Sequence, residues 1–216
     1  MSIESTYVHH VYDEIALHFD KTRYNYWKQV RLFLDKIPKG SLVLDNGCGN
    51  GKYLTYRNDI EMVGIDSCKA LLDICSTKYQ GLLVLANGLQ LPFQENIFDS
   101  SICIAVLHHL STFEKRQHFV CEMVRCLKPN KKGLITVWAT LQEQPKVFQK
   151  WEPLNTPNDF LIPWSNKLNG GSISKRYYHL FDKEEVQYLF DTISNIEIED
   201  ILYEKSNWCI VFRKTN

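Results

Sequence analysis

The feature that most constrains the fold is the stretch from Ser41 to Gly51, SLVLDNGCGNG. Three apolar residues lead into Asp45, and glycines follow at positions 47, 49 and 51. This order predicts a buried parallel strand that breaks into a glycine turn, with a helix beginning at Gly51. Glycine tolerates positive φ and lets backbone N–H groups approach a ligand that a Cβ would hold away. The stretch therefore predicts a cradle for a small ligand.

The spacing of glycines and acids indicates which ligand this is. The dinucleotide fingerprint is G-x-G-x-x-G, whereas this chain has G-x-G-x-G with Asp45 two residues before the first glycine. A carboxylate there would repel a pyrophosphate but can hold an ammonium group. A second apolar strand, EMVGID, ends in Asp66, which can accept both hydroxyls of a ribose. An amino-acid head with a ribose predicts S-adenosylmethionine; an ordinary tight turn is the alternative.

Composition narrows the class of protein. The 216 residues suit one domain over 1–216, and 44% hydrophobic residues supply a full core. Lys and Arg balance Asp and Glu at 25 each, so no global basic field indicates nucleic acid. Seven cysteines without a C-x-x-C pair disfavour a disulfide framework and a metal site, and no apolar run approaches the length of a membrane span. We expect a cytoplasmic or nuclear location, without membrane association.

Hydrophobic periodicity predicts the remaining elements. The predicted helices cover 7–20, 25–36, 67–79, 112–127 and 182–190, with Ser67 and Asp182 as caps. The further predicted strands cover 81–85, 98–107, 134–139, 196–202 and 208–213. We expect the first two helices to form a lid within residues 1–38. Prolines and the paired glycines 170 and 171 predict an irregular insertion over 141–175 on the substrate side.

This alternation of strands and helices predicts an α/β fold, and the first strand, Asp45, the three glycines and Asp66 resemble the pattern of the class I (Rossmann-like) methyltransferases. We expect a seven-stranded, mostly parallel sheet with an antiparallel final strand and helices on both faces. In such a sheet, ligands lie outside the carboxyl ends of the strands.

Several polar and aromatic residues follow these predicted strand ends. Asn87 leaves the third strand, where its oxygen can accept from an adenine amino group, or it caps a turn. His108 and His109 end the fourth strand, and on an extended segment their side chains would point in opposite directions. One of them could orient a substrate or act as a base, and the other would pack. Trp138 ends the fifth strand, where it would border the methyl group or lie in the core.

The order of motifs resembles one family. The motifs are HHVYDEIALHFDKTR, LDNGCGNGKYL, AVLHHLST, ITVWA, DFLIPW, RYYHLF and SNW. They are similar to those of the eukaryotic tRNA methyltransferases that convert the 5-carboxymethyl group of the wobble uridine into its methyl ester. The resemblance extends from Tyr7 to Arg213, nearly the whole chain, and it implies S-adenosyl-L-methionine as cofactor and tRNA as substrate.

The resemblance also implies roles for individual residues. A carboxylate with a pKa of about 4 is ionised at neutral pH, so the site must align it rather than deprotonate it. The candidates for that catalytic role are Arg23, His108, Arg176 and Tyr177. The candidates for the rest of the substrate are His109, Trp138 and Tyr178. The candidates for the cofactor are Asp45, Gly47, Gly49, Gly51, Asp66 and Asn87.

A small zinc-binding activator subunit is a further implication of the resemblance. The predicted third strand, Gly81 to Leu85, is a sheet edge in this fold, and GLLVLA carries no charge that would discourage pairing. We therefore predict a heterodimer through residues 79–85, with a covering loop as the alternative. Lys131 and Lys132, before the fifth strand, are candidates for contact with RNA phosphate.

Two asparagines depart from the family pattern. Asn46 replaces a usual aliphatic residue, and Asn87 replaces the acid that usually contacts adenine. Two alternatives therefore stay open: a methyltransferase for a small quinone or carboxylate, and a non-catalytic relative that keeps the fold as a binding module.

Overall fold

The glycine stretch lies at the centre of a seven-stranded sheet. In the computed structural model, which describes residues 2–166 and 171–216, the sheet order is β3-β2-β1-β4-β5-β10-β9. Its strands are β1 Leu42–Asn46, β2 Glu61–Asp66, β3 Leu82–Leu85, β4 Phe98–Ile104, β5 Leu127–Trp138, β9 Ile196–Glu204 and β10 Asn207–Lys214.

The direction of the strands confirms the predicted fold class. β1 pairs in parallel with β2 on one side and with β4 on the other, so the strand order reverses between β1 and β4. β10 pairs antiparallel with both β5 and β9. The sheet is therefore mostly parallel with an antiparallel final strand, and its switch point lies beside the glycine turn.

Helices cover both faces of this sheet because successive strand residues point in opposite directions. The helices are α1 His10–Thr22, α2 Lys28–Leu34, α3 Lys69–Ser76, α4 Phe113–Cys126 and α5 Lys183–Asp191. On β5, Ile135 packs in the core cluster that contains α4 and α5 residues, and Leu134 packs in the cluster that contains α2 and α3 residues. Across residues 2–166 and 171–216, none of the helices combines the length and apolar character needed to cross a membrane.

Two local predictions near the glycine turn are wrong. No helix begins at Gly51; residues 52–55 form turns, with the Leu54 N–H bonded to the Gly51 carbonyl oxygen at 3.1 Å. Ser67 does not cap α3, which begins at Lys69. Instead the Asp66 carboxylate accepts a hydrogen bond from the Cys68 N–H at 2.8 Å, because the acid that ends β2 reaches the first free backbone donors.

The prediction of an irregular insertion over 141–175 is also wrong. The segment contains a 3₁₀ turn, Pro145–Lys150, and most of a second, antiparallel sheet formed by β6 Glu152–Pro153, β7 Asp159–Asn166 and β8 Ser172–His179. Pro163 lies inside β7, where it pairs with Lys175, although proline usually marks a strand edge or a break. Residues 167–170 of the predicted insertion lie outside the described residues.

A buried charged cluster attaches this second sheet to the main domain. His179 of β8 lies between two carboxylates: its Nδ1 is 2.6 Å from Asp159 Oδ1, and its Nε2 is 2.7 Å from Glu185 Oε1. Arg116 Nη2 lies 3.6 Å from the same Glu185 oxygen. Burial disfavours the charged imidazole, but hydrogen bonds to Asp159 and Glu185 outweigh burial and raise the pKa of His179.

The raised pKa of His179 predicts a pH-dependent stability. A histidine whose pKa is higher in the folded state stabilises the fold below its unfolded value of about 6.5 and loses that contribution as pH rises through the folded value. We expect His179→Gln to lower the free energy of unfolding by about 3 kcal/mol at pH 6. The loss should shrink as pH rises above neutrality, as measured by urea denaturation. The exposed His118→Gln is the matched control, and an equal loss from His179→Gln at every pH would contradict the assignment.

Candidate active site

A cavity of about 580 Å³ opens at the carboxyl ends of the parallel strands. Side chains at the ends of β1, β2, β4 and β5 line it, and residues of α1 and of the segment before α1 lie against it. The lining includes Asp45, Asn46, Asp66, Ile104 and Trp138 from the strands, and Tyr12 and Phe19 from α1. The cavity therefore occupies the position at which open α/β sheets bind ligands.

The glycine turn forms one side of the cavity and is fixed by β2. The N–H groups of Gly47 and Cys48 both donate to the Ile65 carbonyl oxygen at 2.8 Å, and the Gly49 N–H donates to Asp66 Oδ2 at 2.8 Å. Gly47 has φ +90°, and a Cβ there would lie 2.3 Å from Val106 Cγ2. Position 47 therefore accepts only glycine without rearrangement of the turn.

Asp45 places a poorly compensated carboxyl group in the cavity wall. The residue is buried at the end of β1, and its Oδ1 has no hydrogen-bond partner among the described residues. Burial, followed by the charge of Asp66, raises the pKa of Asp45 to about 8. Lys52 offsets this shift only in part, and a buried carboxylate is costly unless a cation pairs with it directly, so the site favours a positively charged ligand group.

Two cationic side chains, Lys52 and Arg23, line the same cavity. Lys52 follows the glycine turn directly, and burial, followed by the charge of Arg23, lowers its pKa to about 8. Its Nζ lies 4.5 Å from the centre of the Tyr53 ring and donates to the Asn25 carbonyl oxygen at 3.0 Å. The Arg23 guanidinium lies over Phe19, 5.0 Å from the ring centre. An anionic group would stabilise both cations.

The carboxylate and the two cations in this part of the cavity therefore fit a zwitterionic amino-acid group. An ammonium would give Asp45 Oδ1 its missing partner, and a carboxylate would complement Lys52 and Arg23. S-adenosylmethionine carries both groups. Across residues 2–166 and 171–216, no group of three or more His, Cys, Asp and Glu side chains is arranged to hold a metal ion.

Two of the predicted cofactor residues are engaged with the protein itself. Asn87 lines the cavity, and its Oδ1 accepts from the Leu89 N–H at 2.9 Å, which is the turn-capping arrangement. Gly51 does not line the cavity; it has φ +76°, and a Cβ there would lie 2.4 Å from Cys75 Sγ, so Gly51 allows the turn to pack against α3. Gly47, Gly49 and Asp66 do line the cavity.

Tyr12 and His109 form a hydrogen-bonded pair in the cavity wall. His109 Nδ1 lies 2.8 Å from the Tyr177 carbonyl oxygen, which can only accept, so Nδ1 carries the proton. His109 Nε2 is then an acceptor, and the Tyr12 hydroxyl, 3.0 Å away, donates to it. Burial lowers the pKa of His109 to about 3, so its ring is neutral at physiological pH.

His108 lies behind this wall rather than in it. The expectation of an extended segment is wrong here: β4 ends at Ile104, Ala105 has φ +61°, and both histidines lie in a 3₁₀ turn, Leu107–His109. Both rings are buried, with centres 4.5 Å apart. His108 stacks on Tyr178 at 4.7 Å, and burial holds its pKa well below the usual value. Only His109 of the pair lines the cavity.

Arg176 is a buried cation beside the same wall. Its Nη1 donates to the Tyr178 hydroxyl at 2.7 Å and lies 3.4 Å from the Tyr12 hydroxyl, while its Nε has no partner. The guanidinium lies over Trp164 at 4.5 Å from the ring centre, and Arg23 contacts the same ring at 5.4 Å. Within the part of the chain that the structure describes, no carboxylate forms a salt bridge with Arg176.

Tyr177 and Tyr178 point to opposite faces of β8, because strand residues alternate. Tyr178 lines the cavity next to Trp138, with ring centres 4.5 Å apart. Tyr177 is fully buried and does not line the cavity; its backbone carbonyl, rather than its hydroxyl, contacts His109. Arg176 also lies outside the lining and reaches it through Tyr178.

Sequence reasoning did not single out several residues of the site: Tyr12, Phe19, Lys52, Tyr53 and Trp164. Lys52 was visible in the sequence, since it follows the last glycine of the turn. Tyr12 and Trp164 carry no local signal, because their partners His109 and Arg176 are supplied by other elements of the fold.

Comparison with solved structures agrees with the fold. A S-adenosylmethionine-dependent methyltransferase from Methanosarcina mazei superposes with a TM-score of 0.72 at 18% identity, covering 88% of this chain and 99% of that one. A methyltransferase from Haloferax volcanii, solved in complex with the Trm112 methyltransferase activator, has a TM-score of 0.67 at 14% identity over 95% and 98% of the two chains. The fold is that of the class I methyltransferases, whose cofactor is S-adenosylmethionine.

Sequence comparison identifies the family within this class. The family described as "Methyltransferase domain" matches residues 44–135. The tRNA (carboxymethyluridine(34)-5-O)-methyltransferase of Schizosaccharomyces pombe is 36% identical, over 98% of this chain and 97% of its own. The alkbh8 enzyme of the same name from Xenopus tropicalis is 34% identical over 99% of this chain, which spans 41% of that relative's length. The chain belongs to the tRNA (carboxymethyluridine(34)-5-O)-methyltransferase family.

The raised pKa of Asp45 predicts that the affinity for the cofactor depends on pH. Because an ammonium group requires the ionised carboxylate, affinity for S-adenosylmethionine should rise between pH 6 and pH 8, as the pKa of Asp45 is about 8. Asp45→Asn should weaken binding about tenfold or more at pH 8 and abolish this rise. Calorimetry in two buffers of different ionisation enthalpy measures the affinity and the released proton.

A control substitution at a second aspartate separates this effect from a general change in charge. Asp73→Asn removes an exposed carboxylate of α3 that pairs with Lys69, and it should leave the pH profile unchanged. An Asp45→Asn variant that binds with the wild-type pH profile would exclude Asp45 as the ammonium site.

Proposed function

We propose that this chain is an S-adenosylmethionine-dependent tRNA methyltransferase that converts the 5-carboxymethyl group of the wobble uridine into its methyl ester. Membership of the family supports the reaction. The observation that carries the substrate class is Arg176, a buried cation with no acidic partner beside the cavity in the described residues. A carboxylate is the group that such a cation lacks.

The chemistry requires alignment and exclusion of water rather than a base. When bound, S-adenosylmethionine supplies an electrophilic methyl group on a sulfonium. A substrate carboxylate is already ionised at neutral pH, so no residue has to remove a proton. The aromatic side chains of Tyr12, Phe19, Trp138 and Tyr178 keep the dielectric of the wall low. A low dielectric favours a transfer in which an anion and a cation neutralise each other.

Tyr178 and Arg176 together form the proposed carboxylate-binding group. Arg176 donates to the Tyr178 oxygen, which leaves the hydroxyl proton of Tyr178 free to donate into the cavity. The Tyr12 proton is committed to His109, so Tyr12 cannot serve as the same kind of donor. The role proposed for Arg176 is therefore to polarise Tyr178, and Arg23 is the second cation at the cavity.

His108 and His109 are both neutral, which supports a role in positioning other side chains. The pKa of His109 is about 3 and that of His108 is also lowered by burial. Neither ring takes up a second proton at physiological pH. We propose that His109 orients Tyr12 and that His108 supports the Tyr178 ring by stacking.

The family membership favours tRNA over the small-molecule substrate considered above. A direct test is methyl transfer from labelled S-adenosylmethionine to tRNA from cells that lack this activity, followed by nucleoside analysis. A base-labile methyl ester on the wobble uridine is the expected product. Label that enters only small molecules would instead support the small-molecule alternative, and retained cofactor binding without any transfer would support the non-catalytic one.

A second proposal concerns a partner. We propose that an activator subunit pairs with the exposed edge strand β3, where Leu82 and Leu85 are 55% and 57% exposed. The opposite edge strand, β9, carries Glu197, Glu199 and Asp200, which discourage strand addition, whereas β3 carries no charge. The Haloferax volcanii relative of similar fold was solved with such an activator. Addition of a strand to an apolar edge is a common mode of recognition.

Lys131 and Lys132, the candidates for contact with RNA phosphate, lie far from the cavity and are paired with acids. Lys132 Nζ lies 2.6 Å from Glu199, and Lys131 Nζ lies 3.7 Å from Asp99. Lys132 precedes Trp138 by six residues on β5, which places it roughly 20 Å from the cavity end of the strand. Their contact with RNA phosphate stays a prediction without support from this geometry.

The Tyr178 assignment predicts a specific kinetic defect. Tyr178→Phe removes one hydroxyl and should lower kcat/KM for tRNA about tenfold or more, because a hydrogen bond to a charged group is lost. Arg176→Met should give a similar loss without lower stability, since it removes an unpaired buried charge. The double variant should lose little more than either single variant. Tyr188→Phe, an exposed tyrosine of α5, is the control; independent, additive losses would contradict the shared role.

The edge-strand proposal predicts the effect of added charge. Leu82→Lys with Leu85→Lys should abolish co-purification with the activator and increase the fraction of the chain that stays soluble when expressed alone. Leu141→Lys changes an equally exposed leucine, 58% exposed, outside β3 and serves as the control. Unchanged assembly of the double-lysine variant would rule out β3 as the interface.

A further inference from the structure

The segment that joins α1 to α2 has an unusual charge. Residues 21–34 contain four cations and no acid, although the whole chain has equal numbers of each. The cations are Lys21, Arg23, Lys28 and Arg31. In the described parts of the chain, none of the four forms a salt bridge; Arg31 Nε bonds to the Tyr56 hydroxyl at 3.2 Å. Glu204 accepts from the backbone N–H groups at the start of α2 at 2.8 Å, and Asp35, which follows the segment, accepts from the same Tyr56 hydroxyl that Arg31 contacts. The segment is therefore a local basic surface on a neutral protein.

The same segment forms one rim of the active-site cavity. Arg23, Asn25 and Trp27 line the cavity, whereas the intervening Tyr24 and Tyr26 do not. Tyr24 is 72% exposed and Tyr26 is 38% exposed. Residues 23–27 form neither helix nor strand, and their side chains alternate between the cavity lining and the outer side of the segment. We call Tyr24 and Tyr26 the rim tyrosines.

The rim tyrosines are carried on a backbone that the cavity itself holds in place. Lys52 Nζ donates to the Asn25 carbonyl oxygen at 3.0 Å, and the Trp27 N–H donates to the Tyr53 hydroxyl at 3.3 Å. The Tyr26 ring packs against Tyr56, with centres 4.9 Å apart. The Tyr26 ring is thus held at a fixed position next to the cavity, which lowers the entropic cost of binding to it. Tyr24 lies between Arg23 and Asn25, which both line the cavity.

We propose that the rim tyrosines stack on the unpaired bases that flank the target nucleotide in a single-stranded RNA loop. The inference rests on the proposed function. The cavity admits the reacting nucleotide, so its neighbours must lie across the rim. Exposed aromatic rings interleaved with cations are the chemistry that recognises single-stranded nucleic acid, by stacking and by contact with phosphate. Lys21 and Lys28 are the exposed cations on either side of the rim tyrosines.

The proposal also explains how a chain with a net charge of zero can attract RNA. A net charge of zero gives no long-range attraction for a polyanion. A short acid-free segment at the cavity entrance supplies that attraction where the substrate must arrive.

Binding of an RNA anticodon stem–loop that carries 2-aminopurine next to the wobble position tests the proposal. Stacking quenches this fluorophore, so wild-type protein should quench it and Tyr24→Leu should not. Tyr24→Leu and Tyr26→Leu should each raise the Kd about tenfold, while Tyr24→Phe keeps the ring and should bind as wild type. The matched control is Tyr188→Leu, which removes a tyrosine that is 61% exposed on α5.

Salt dependence separates stacking from charge in the same assay. Lys28→Gln should reduce the slope of log Kd against log salt by up to about one, and Tyr24→Leu should leave the slope unchanged. All variants should retain the wild-type affinity for S-adenosylmethionine in calorimetry, since none of them alters a residue that lines the cavity.

The outcomes distinguish this inference from the proposed function. Wild-type binding and methylation of RNA with no effect of Tyr24→Leu or Tyr26→Leu would overturn the stacking role and leave the proposed function intact. Failure of the wild-type protein to bind the loop, with or without the activator, would overturn both. Loss of the activator rather than of RNA in the tyrosine variants would show that the rim contacts a protein, and would overturn the inference.

Discussion

The Asp66 carboxylate holds together the part of the structure on which the site depends. One of its oxygens accepts from the Gly49 N–H and the other from the Cys68 N–H, each at 2.8 Å. These two bonds fix the glycine turn after β1 to the start of α3 after β2. Because the turn is fixed, the Asp45 side chain stays in the cavity wall although its charge is poorly compensated. A cationic ligand would recover the cost of burying the ionised carboxylate.

A charged group of the opposite sign, Arg176, lies beside the cavity. Asp45 lacks a cation, and Arg176 lacks an anion among the described residues. A folded protein keeps such groups at the expense of stability, and they are found where ligands complete them. One imbalance matches the amino-acid part of the cofactor and the other matches a carboxylate substrate. In the proposed function, this charge pattern would therefore favour both reactants before any contact with the rest of the RNA.

The elements that could be predicted are those set by local sequence. The β1 strand, the glycine turn and the Asp182 cap, which accepts from the Glu185 N–H at 2.7 Å, follow from patterns within a few residues. The Tyr12–His109 pair spans 97 positions, and no local pattern predicts it. The second sheet was missed because Pro163 and the neighbouring turn residues imitate a loop. Its strands form because β7 and β8 pair along eight residues.

The proposed role of Arg176 gives a kinetic reason for its placement behind Tyr178 rather than in the cavity. A guanidinium that gripped the carboxylate directly through two hydrogen bonds would stabilise the charged ground state more than the transition state, in which that charge is disappearing. A tyrosine hydroxyl donates one weaker bond, and Arg176 strengthens it from 2.7 Å away. The carboxylate is then oriented without being held too tightly to react. An arginine that is fully buried yet not in the lining is what this balance requires.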